Sequence, residues 1–139
     1  MEAEGAEVIG RIFDALRFAK HRNAGRRGED LAHRFLRRNG FTIVARNYRL
    51  AAGDAEADLI AWEGDTLVIV EVKSRASEDF GPPGRAIGEE KRRHLLRVAR
   101  EYSRKCGVEW ERVRLDVVTV ILSHPAELKL FRNALSTER

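Results

Sequence analysis

The stretch TLVIVEVKSR at residues 66–75 decides the fold, because it is the strongest strand pattern in the chain. Successive residues of a strand point to opposite faces, and both faces of this stretch begin with apolar residues. Such a strand is typical of the middle of a sheet that is covered on both sides. The same alternation places Glu71 and Lys73 on the face that Leu67 and Ile69 begin, so a carboxylate and an amine end an apolar face.

The segments around this strand predict helices and further strands. A helix is expected after Gly25, ending at Asn39-Gly40, and a second one from about Gly88 to Lys105. Other strands are expected at residues 41–45, 54–62, 113–122 and 127–132, and a tight turn at residues 63–65 joins the second strand to the third. This order predicts an α/β fold, with a mixed central sheet flanked by helices. It fits a single domain at residues 25–139, with residues 1–24 as an N-terminal helical arm.

The composition of the chain excludes several classes of protein. The chain has 139 residues, 43% of them apolar, and a net charge of +4. Its one cysteine, Cys106, excludes an internal disulfide and a cysteine-rich zinc site, so any metal must be held mainly by oxygen or histidine. No apolar run approaches the roughly 20 residues of a membrane-spanning helix, and residues 1–10 are acidic where a signal peptide is basic. We therefore expect a cytoplasmic protein with no membrane partner.

Charge is unevenly distributed along the chain. Residues 11–49 contain eleven Lys or Arg against three acids, and residues 85–114 contain ten against five. Between these segments, residues 54–71 hold six acids and no Lys or Arg. Carboxylates that are surrounded by basic segments suit a metal ion that meets phosphate.

Asp58 and Glu71 are the strongest metal-ligand candidates. A hairpin joins their strands, so the strand register can bring Asp58 beside Glu71. Two close carboxylates repel each other unless a cation lies between them, and oxygen ligands select hard ions such as Mg²⁺ or Mn²⁺. Lys73 can then orient or deprotonate the attacking water, or stabilise charge on a phosphate. A Glu-x-Lys is most often a solvated strand face, but charges that extend an apolar face are costly without partners.

Three further charged residues also deserve interpretation. Glu29 lies on the core-facing side of its predicted helix, either at the same site or as an acid that complements the helix dipole. Lys91 shares the stripe of Leu95, and either joins the site or runs its stem along apolar surface to water. Asp116 alternates with apolar neighbours, so we expect a buried acid with Arg114 as one partner.

The order of these motifs resembles a known family. Asp58, a hairpin and then Glu71-Val72-Lys73 are similar to the signature of the PD-(D/E)XK nuclease superfamily, which has the restriction-endonuclease-like fold. Further motifs at compatible spacing resemble the YraN family of small bacterial proteins: Gly28-Glu29-Asp30-Leu31-Ala32, Arg46-Asn47-Tyr48-Arg49, Glu56-Ala57-Asp58-Leu59-Ile60, Val70-Glu71-Val72-Lys73-Ser74-Arg75 and Phe80-Gly81. The resemblance covers roughly Ala24 to Val120.

The resemblance implies a metal site like that of archaeal Holliday-junction resolvases, which cut branched DNA as dimers. Asp58 and Glu71 would bind Mg²⁺ or Mn²⁺ together with the backbone carbonyl of Val72. Lys73 would act on the water and the phosphate, and Glu29 would complete the acidic cluster from its helix.

The resemblance also extends to further residues and partners. Glu56 matches an acid of the family's motif and is a further candidate ligand. The basic residues that we expect to hold DNA are Arg26, Arg27, Arg46, Arg49, Arg75 and Lys91. A homodimer is implied by the same analogy.

Three functions stay open on the sequence alone. The first is a Mg²⁺-dependent endonuclease that hydrolyses phosphodiester bonds of branched or single-stranded DNA. The second is a nucleic-acid-binding protein with little hydrolytic activity, working as a subunit of a repair, recombination or uptake complex. A pure binder gains nothing from carboxylates that repel phosphate, so Asp58 and Glu71 favour the nuclease. The third is purely structural: at a net charge of only +4, the basic segments are solvated helix faces.

Overall fold

The computed structural model describes residues 12–76 and 88–138, with side chains described from residue 25 onward. The chain order of the elements is α1 (Ile12–Arg38), β1 (Phe41–Arg49), β2 (Glu56–Glu63), β3 (Thr66–Arg75), α2 (Glu89–Cys106), β4 (Val113–Ile121) and β5 (Glu127–Leu135). The strands form one sheet in the order β1-β2-β3-β4-β5. Strands β3 and β4 are parallel, and the other neighbours are antiparallel. The predicted α/β fold with a mixed central sheet is therefore confirmed.

Each face of the sheet is covered by one of these helices. Ala32 and Leu36 of α1 are fully buried against one face, in a core that includes Val68 of β3. Leu95 of α2 is fully buried against the other face, in a core that includes Ile69 of β3. Because β3 contributes to both cores, its apolar residues are needed on both faces. The most apolar strand of the sequence is thus the central one, as its pattern predicts.

Helix α1 is longer than its sequence pattern predicts. It begins at Ile12, so it includes the second half of the predicted arm and passes through Gly25 without a break. A glycine inside a helix costs about 1 kcal/mol relative to alanine, which tertiary packing elsewhere in the helix can offset. Residues 1–11 lie outside the described residues, and the division into an arm at 1–24 and a domain at 25–139 stays a prediction. Neither described helix is apolar enough over a sufficient length to span a membrane.

The edge strands differ most from their predicted lengths. Strand β1 continues to Arg49 rather than ending at residue 45, and β5 continues to Leu135. Polar residues are common in edge strands, which have water on one side, so the edge residues Arg46 and Asn47 hide the strand pattern. The register of β1 against β2 also shifts between Ile43 and Ala45. The predicted loop at residues 79–84 lies outside the described residues.

An ion network joins β2, β4 and β5 and extends from Glu63 at the β2–β3 hairpin to Asp116 in β4. Asp116 is fully buried and accepts hydrogen bonds from Arg114 Nε at 2.8 Å and from the backbone N–H of Asn133 at 2.8 Å. Glu63 accepts hydrogen bonds from Arg114 Nη2 at 2.5 Å and from Arg132 Nε at 3.0 Å. The predicted pairing of Asp116 with Arg114 is confirmed. Glu63 lies at the β2–β3 hairpin, whereas Asp116 pairs with Val70 of β3, the residue before Glu71.

Candidate metal and nucleic-acid site

The candidate site lies where strands β2 and β3 stop pairing. Their backbone register ends at Leu59 opposite Val70, so the next positions along the two strands are Asp58 and Glu71. There the Oδ2 atom of Asp58 accepts a hydrogen bond of 2.8 Å from the backbone N–H of Val72. The carboxylate thus takes the place of a strand carbonyl as the acceptor. This exchange turns Asp58 toward β3 and brings it beside Glu71.

Burial makes two negative charges at this position costly. The Glu71 side chain is only 8% exposed. Burial, followed by the charge of Asp58, raises the pKa of Glu71 to about 7. Burial also raises the pKa of Asp58, although the Val72 N–H and the charge of Lys91 act to lower it. The pair therefore favours either a proton or a cation between its carboxylates.

Two amines lie close to the pair. Lys91 reaches in from the first turn of α2, and its Nζ is 3.6 Å from Glu71 Oε1. That distance is too long for a hydrogen bond, and Oε1 is buried with no hydrogen-bond partner among the described residues. Lys73 follows Glu71 on the same face of β3, and its charge also lowers the pKa of Glu71. Of the two interpretations of Lys91, the structure shows the one in which the amine reaches Glu71.

Glu29 lies next to the pair without joining it. Its pKa is raised by burial and then by the charge of Asp58, while a hydrogen bond from the Asn47 side chain lowers it. Within the described ranges, no three His, Cys, Asp or Glu side chains are arranged to hold one metal ion. The acidic cluster expected from the sequence is therefore present as a close pair, Asp58 and Glu71, and Glu29 lies beside this pair.

Asn47 is a site residue that the sequence pattern did not single out. Its φ of +50° is in the left-handed region, which is uncommon for a residue other than glycine and is best tolerated by asparagine. The register places it opposite Asp58, between the pairs Arg46–Leu59 and Tyr48–Ala57. Asn47 thus lies opposite Asp58 and lines the same cavity as Glu29, whose pKa its side chain acts to lower. A polar residue inside a strand motif is the signal that could have identified it.

A cavity of about 560 Å³ opens beside Glu29. Its lining residues come from α1 and β1: Gly25, Arg26, Glu29, Asp30, Arg46 and Asn47. Arg46 Nη2 lies 2.8 Å from Asp30 and 3.7 Å from Glu29, so this guanidinium neutralises part of the acidic wall. The cavity combines cationic, anionic and amide groups, which suits a polar ligand rather than an apolar one.

The remaining predicted residues occupy separate surroundings. Glu56 pairs with Arg49 at 2.9 Å across β1 and β2, so it is neutralised by that arginine rather than joined to the carboxylate pair. Arg26 and Arg27 are exposed on α1, and Arg75 is partly buried at the end of β3. Of the basic residues expected to hold DNA, Arg46, Arg49 and Lys91 pair with acids, and Arg26 lines the same cavity as Arg46. Their role in DNA binding stays a prediction.

The fold and site together define a class of protein: an α/β protein with a buried pair of carboxylates where two interior strands of a mixed sheet stop pairing. Its sequence matches the profile of the uncharacterised protein family UPF0102 over residues 28–120. The chain is 50% identical over 128 residues to a UPF0102 protein of Solibacter usitatus, covering 91% of this chain and 97% of the relative.

Two further relatives show the same relationship. A UPF0102 protein of Koribacter versatilis is 44% identical over 116 residues, which is 83% of this chain and 80% of the relative. A UPF0102 protein of Rhodococcus jostii is 47% identical over 100 residues, or 72% of this chain and 83% of the relative. The chain belongs to the UPF0102 family, which confirms the resemblance to the YraN family.

Proposed function

We propose that this protein is a divalent-metal-dependent endonuclease that hydrolyses phosphodiester bonds of DNA. The observation that carries the proposal is the buried pair of Asp58 and Glu71, with amines of Lys73 and Lys91 next to it. Structural acids are usually neutralised by arginine, as Asp116 of β4 is by Arg114. Glu71 instead keeps a buried oxygen with no hydrogen-bond partner among the described residues, which is a costly arrangement without a ligand.

The donor atoms fit a hard divalent cation such as Mg²⁺ or Mn²⁺. Mg²⁺ is usually bound through one or two carboxylates and keeps several waters, so a pair of acids is sufficient. Asp58 and Glu71 would hold the ion, and the backbone carbonyl of Val72 would add a neutral oxygen ligand. When bound, the ion lowers the pKa of a water ligand and offsets charge on the phosphate.

The lysines would act on the phosphate and the water. Lys73, on the Glu71 face of β3, would orient the water or stabilise charge on the phosphate oxygens in the transition state. Lys91 would balance the charge of Glu71 from the opposite element, α2. In the reaction the water oxygen bonds to phosphorus and the bond to the 3′ oxygen breaks, which leaves a 5′-phosphate and a 3′-hydroxyl. Arg26 and Arg46 line the adjacent cavity and would contact neighbouring phosphates.

Cleavage of a labelled substrate panel tests the proposal. Single-stranded, duplex, flap and four-way-junction DNA, with matched RNA, would be incubated with Mg²⁺ or Mn²⁺. Asp58→Asn and Lys73→Met should each lower the cleavage rate by about 10²-fold or more, because each removes charge at the reacting phosphate. Asp65→Asn is the matched control, because Asp65 is an acid in the β2–β3 hairpin whose side chain is 82% exposed.

Three outcomes would contradict the proposal. Equal cleavage by the wild type and the Asp58 and Lys73 variants would mean that a contaminating nuclease cuts the DNA. DNA binding without cutting in all four proteins would favour the alternative, a nucleic-acid-binding subunit with little activity of its own. A loss that also appears in Asp65→Asn would indicate a general effect of lost acid rather than a role for this pair.

A further inference from the structure

Helix α2 carries four arginines on the face that points away from the core. Arg93, Arg97, Arg100 and Arg104 follow the i, i+4, i+7, i+11 spacing of one helix face, and we call these four residues the arginine row. Buried residues such as Leu95 lie on the opposite face. At 1.5 Å per residue the row is about 16 Å long. Like charges three and four residues apart destabilise a helix, so the row has a cost that neutral polar residues would avoid.

The row is only partly neutralised by the rest of the described chain. Arg97 forms a two-pronged pair with Asp54, with Nη1 to Oδ2 at 2.9 Å and Nη2 to Oδ1 at 3.1 Å. The guanidinium of Arg100 lies 5.5 Å from the ring centroid of Trp110. Arg93 and Arg104 form no ion pair with any acid in residues 25–76 and 88–138. Two of the four charges therefore face solvent, and a third is held over an aromatic ring.

A groove runs along the first half of the row. Its volume is about 570 Å³, and it is lined by Glu89, Arg92, Arg93, Leu96, Arg97 and Arg100. Arg92 forms the inner wall, where its Nε donates a 2.9 Å hydrogen bond to the carbonyl of Ser136. Among these six residues only Glu89 is acidic, and it pairs with Arg92 at 2.8 Å. Four of the six lining residues are thus arginines, although most of the exposed surface of the groove is apolar.

The row also begins close to the candidate site. Lys91, in the first turn of α2, contacts Glu71, and Arg93 follows two residues later on the outer side of the helix. One helix diameter, about 10 Å, therefore separates the inner and outer sides of this turn. Duplex DNA carries one charge per about 1.7 Å of its axis, so DNA with one phosphate at the site has further phosphates within reach of the row.

We propose that the arginine row of α2 binds the phosphodiester backbone of DNA that extends beyond the Asp58–Glu71 pair. The inference rests on the proposed function, which makes DNA the partner. Guanidinium groups pair with phosphate in a two-pronged geometry, and Arg97 already pairs with the Asp54 carboxylate in that way. Because that pair is exposed, phosphate can replace the carboxylate. The row positions the substrate and takes no part in bond breaking.

The salt dependence of binding tests the row directly. Binding of a labelled DNA duplex and of its single strand would be measured in EDTA, which prevents metal-dependent cleavage, across a range of NaCl concentrations. Log K falls as log salt rises, and the triple variant R93Q/R100Q/R104Q should make this slope less steep. Each lost phosphate contact reduces the steepness by about 0.9 for duplex and about 0.7 for single strand, so three lost contacts reduce it by about 2.7 and about 2. Glutamine keeps a high helix propensity, so α2 should stay folded, which circular dichroism checks.

Two further variants separate position from charge. R34Q/R37Q/R38Q removes the same charge from exposed residues of α1, of which Arg37 and Arg38 lie in the last turn, near the hairpin end of the sheet. We expect its slope to equal that of the wild type. R93K/R100K/R104K keeps the charge, so its slope should also be retained. Together these results would support a row that binds phosphate by its position.

The contrary outcomes are distinct. An equal fall in both glutamine variants would mean that only net charge matters, and an unchanged slope in R93Q/R100Q/R104Q would make the row a solvated helix face. Either result overturns the inference, and it leaves the proposed nuclease intact if the wild type still cleaves DNA with Mg²⁺. No DNA binding by the wild type at low salt would overturn both. Normal binding to the row without any cleavage would overturn the nuclease alone.

Discussion

At the scale of single residues, a comparison of the two asparagines with positive φ distinguishes a role in backbone conformation from a role in function. Asn47 and Asn133 have φ angles of +50° and +56° in edge strands, and only Asn47 lies at the candidate site. Glycine adopts this conformation without strain, so both Asn→Gly variants should keep the unfolding temperature of the wild type or raise it slightly. Asn47→Gly alone should lose about tenfold in cleavage rate, because it removes the amide that favours the charged form of Glu29.

Asn133→Gly is a matched control because the hydrogen bond from Asn133 to Asp116 uses the backbone N–H, which glycine keeps. Cleavage kinetics and thermal unfolding of the two variants would be measured side by side. If Asn47→Gly cleaves DNA as fast as Asn133→Gly, then Asn47 is present only because it tolerates its backbone conformation. In that case the orientation of Glu29 does not depend on the amide.

Glu63 gives the fold a pH dependence that does not involve the candidate site. Hydrogen bonds from Arg132 and Arg114 lower the pKa of Glu63 to about 2 from its ordinary value of 4.5. Its stabilising effect is therefore complete above about pH 4.5 and is lost as the pH falls toward 2. Glu63→Gln should lower the free energy of unfolding at pH 7 by about 1–2 kcal/mol, after allowance for the half-exposed Arg132.

Urea unfolding of both proteins between pH 7 and pH 2.5 measures this difference. The two curves of stability against pH should approach each other below about pH 4.5, since the wild-type carboxylate becomes protonated there. A difference that stays constant over this range would show that Glu63 acts through packing rather than through its charge.

At the scale of elements, the approach of α1 to β3 depends on a glycine. A β-carbon at Gly28 would collide with the hydroxyl of Ser74, whereas a β-carbon at Gly25 of the same helix would meet nothing within 4 Å. Gly28→Ala should therefore destabilise the protein by about 1–3 kcal/mol through overpacking. Gly25→Ala should stabilise it by about 0.5–1 kcal/mol, as alanine does in an open helix position.

Chemical denaturation of both variants, and of Gly28→Ala/Ser74→Ala, tests this contact. Removing the hydroxyl should recover part of the loss, because the Ser74 β-carbon would still lie 3.0 Å from the new methyl group. No difference between Gly28→Ala and Gly25→Ala would mean that the helix can move away from β3 freely. Since Glu29 follows Gly28, such a movement would also displace the acid that lies beside Asp58.

The elements show which parts of the structure the sequence can specify. Strand β3 has its predicted bounds because a buried central strand must be apolar on both faces, and α2 differs by a residue at each end because Gly107 terminates it. The register that places Asp58 beside Glu71 also follows from a two-residue hairpin. Edge strands β1 and β5 were predicted too short, since a strand with water on one side needs few apolar residues.

The features of the site that could not be predicted from the sequence are set by contacts between distant parts of the chain. Asn47 is recognisable only when its φ angle and its position opposite Asp58 are known, and neither can be derived from composition. The separation of Glu29 from the Asp58–Glu71 pair likewise depends on how far α1 stands from the sheet. A helix face indicates which residues point inward, but it does not give distances to another element.

At the scale of the whole molecule, the sheet carries two groups of acids that differ in their partners. In the first group, Glu63 and Asp116 are each hydrogen-bonded by arginines, so those acids contribute to stability. In the second group, Asp58 and Glu71 face each other with amines but no arginine hydrogen bond among the described contacts. A buried pair of like charges lowers stability unless a cation joins it. The first group thus stabilises the fold and the second is costly to it, which is expected of a site that binds a ligand.

This asymmetry predicts that stability and function oppose each other at Glu71. Because the pKa of Glu71 is raised from 4.5 to about 7, the cost of its charge is absent below pH 4.5 and complete above pH 7. In EDTA at pH 8, Glu71→Gln should therefore raise the free energy of unfolding by about 1–3 kcal/mol. Glu111→Gln, at an exposed position outside the core, makes the same chemical change and should have little effect.

Adding Mg²⁺ should reverse the order of the two proteins. An ion that binds only the folded state stabilises it by about 4.1 kcal/mol at 1,000 times its Kd, and the wild type and Glu111→Gln should both gain this. Glu71→Gln should gain much less, because a neutral amide is a poorer ligand for a hard cation. Urea unfolding at a series of Mg²⁺ concentrations measures each gain. If Glu71→Gln gains as much as the wild type, Mg²⁺ binds elsewhere, and the raised pKa of Glu71 reflects a buried proton rather than a place for a metal ion.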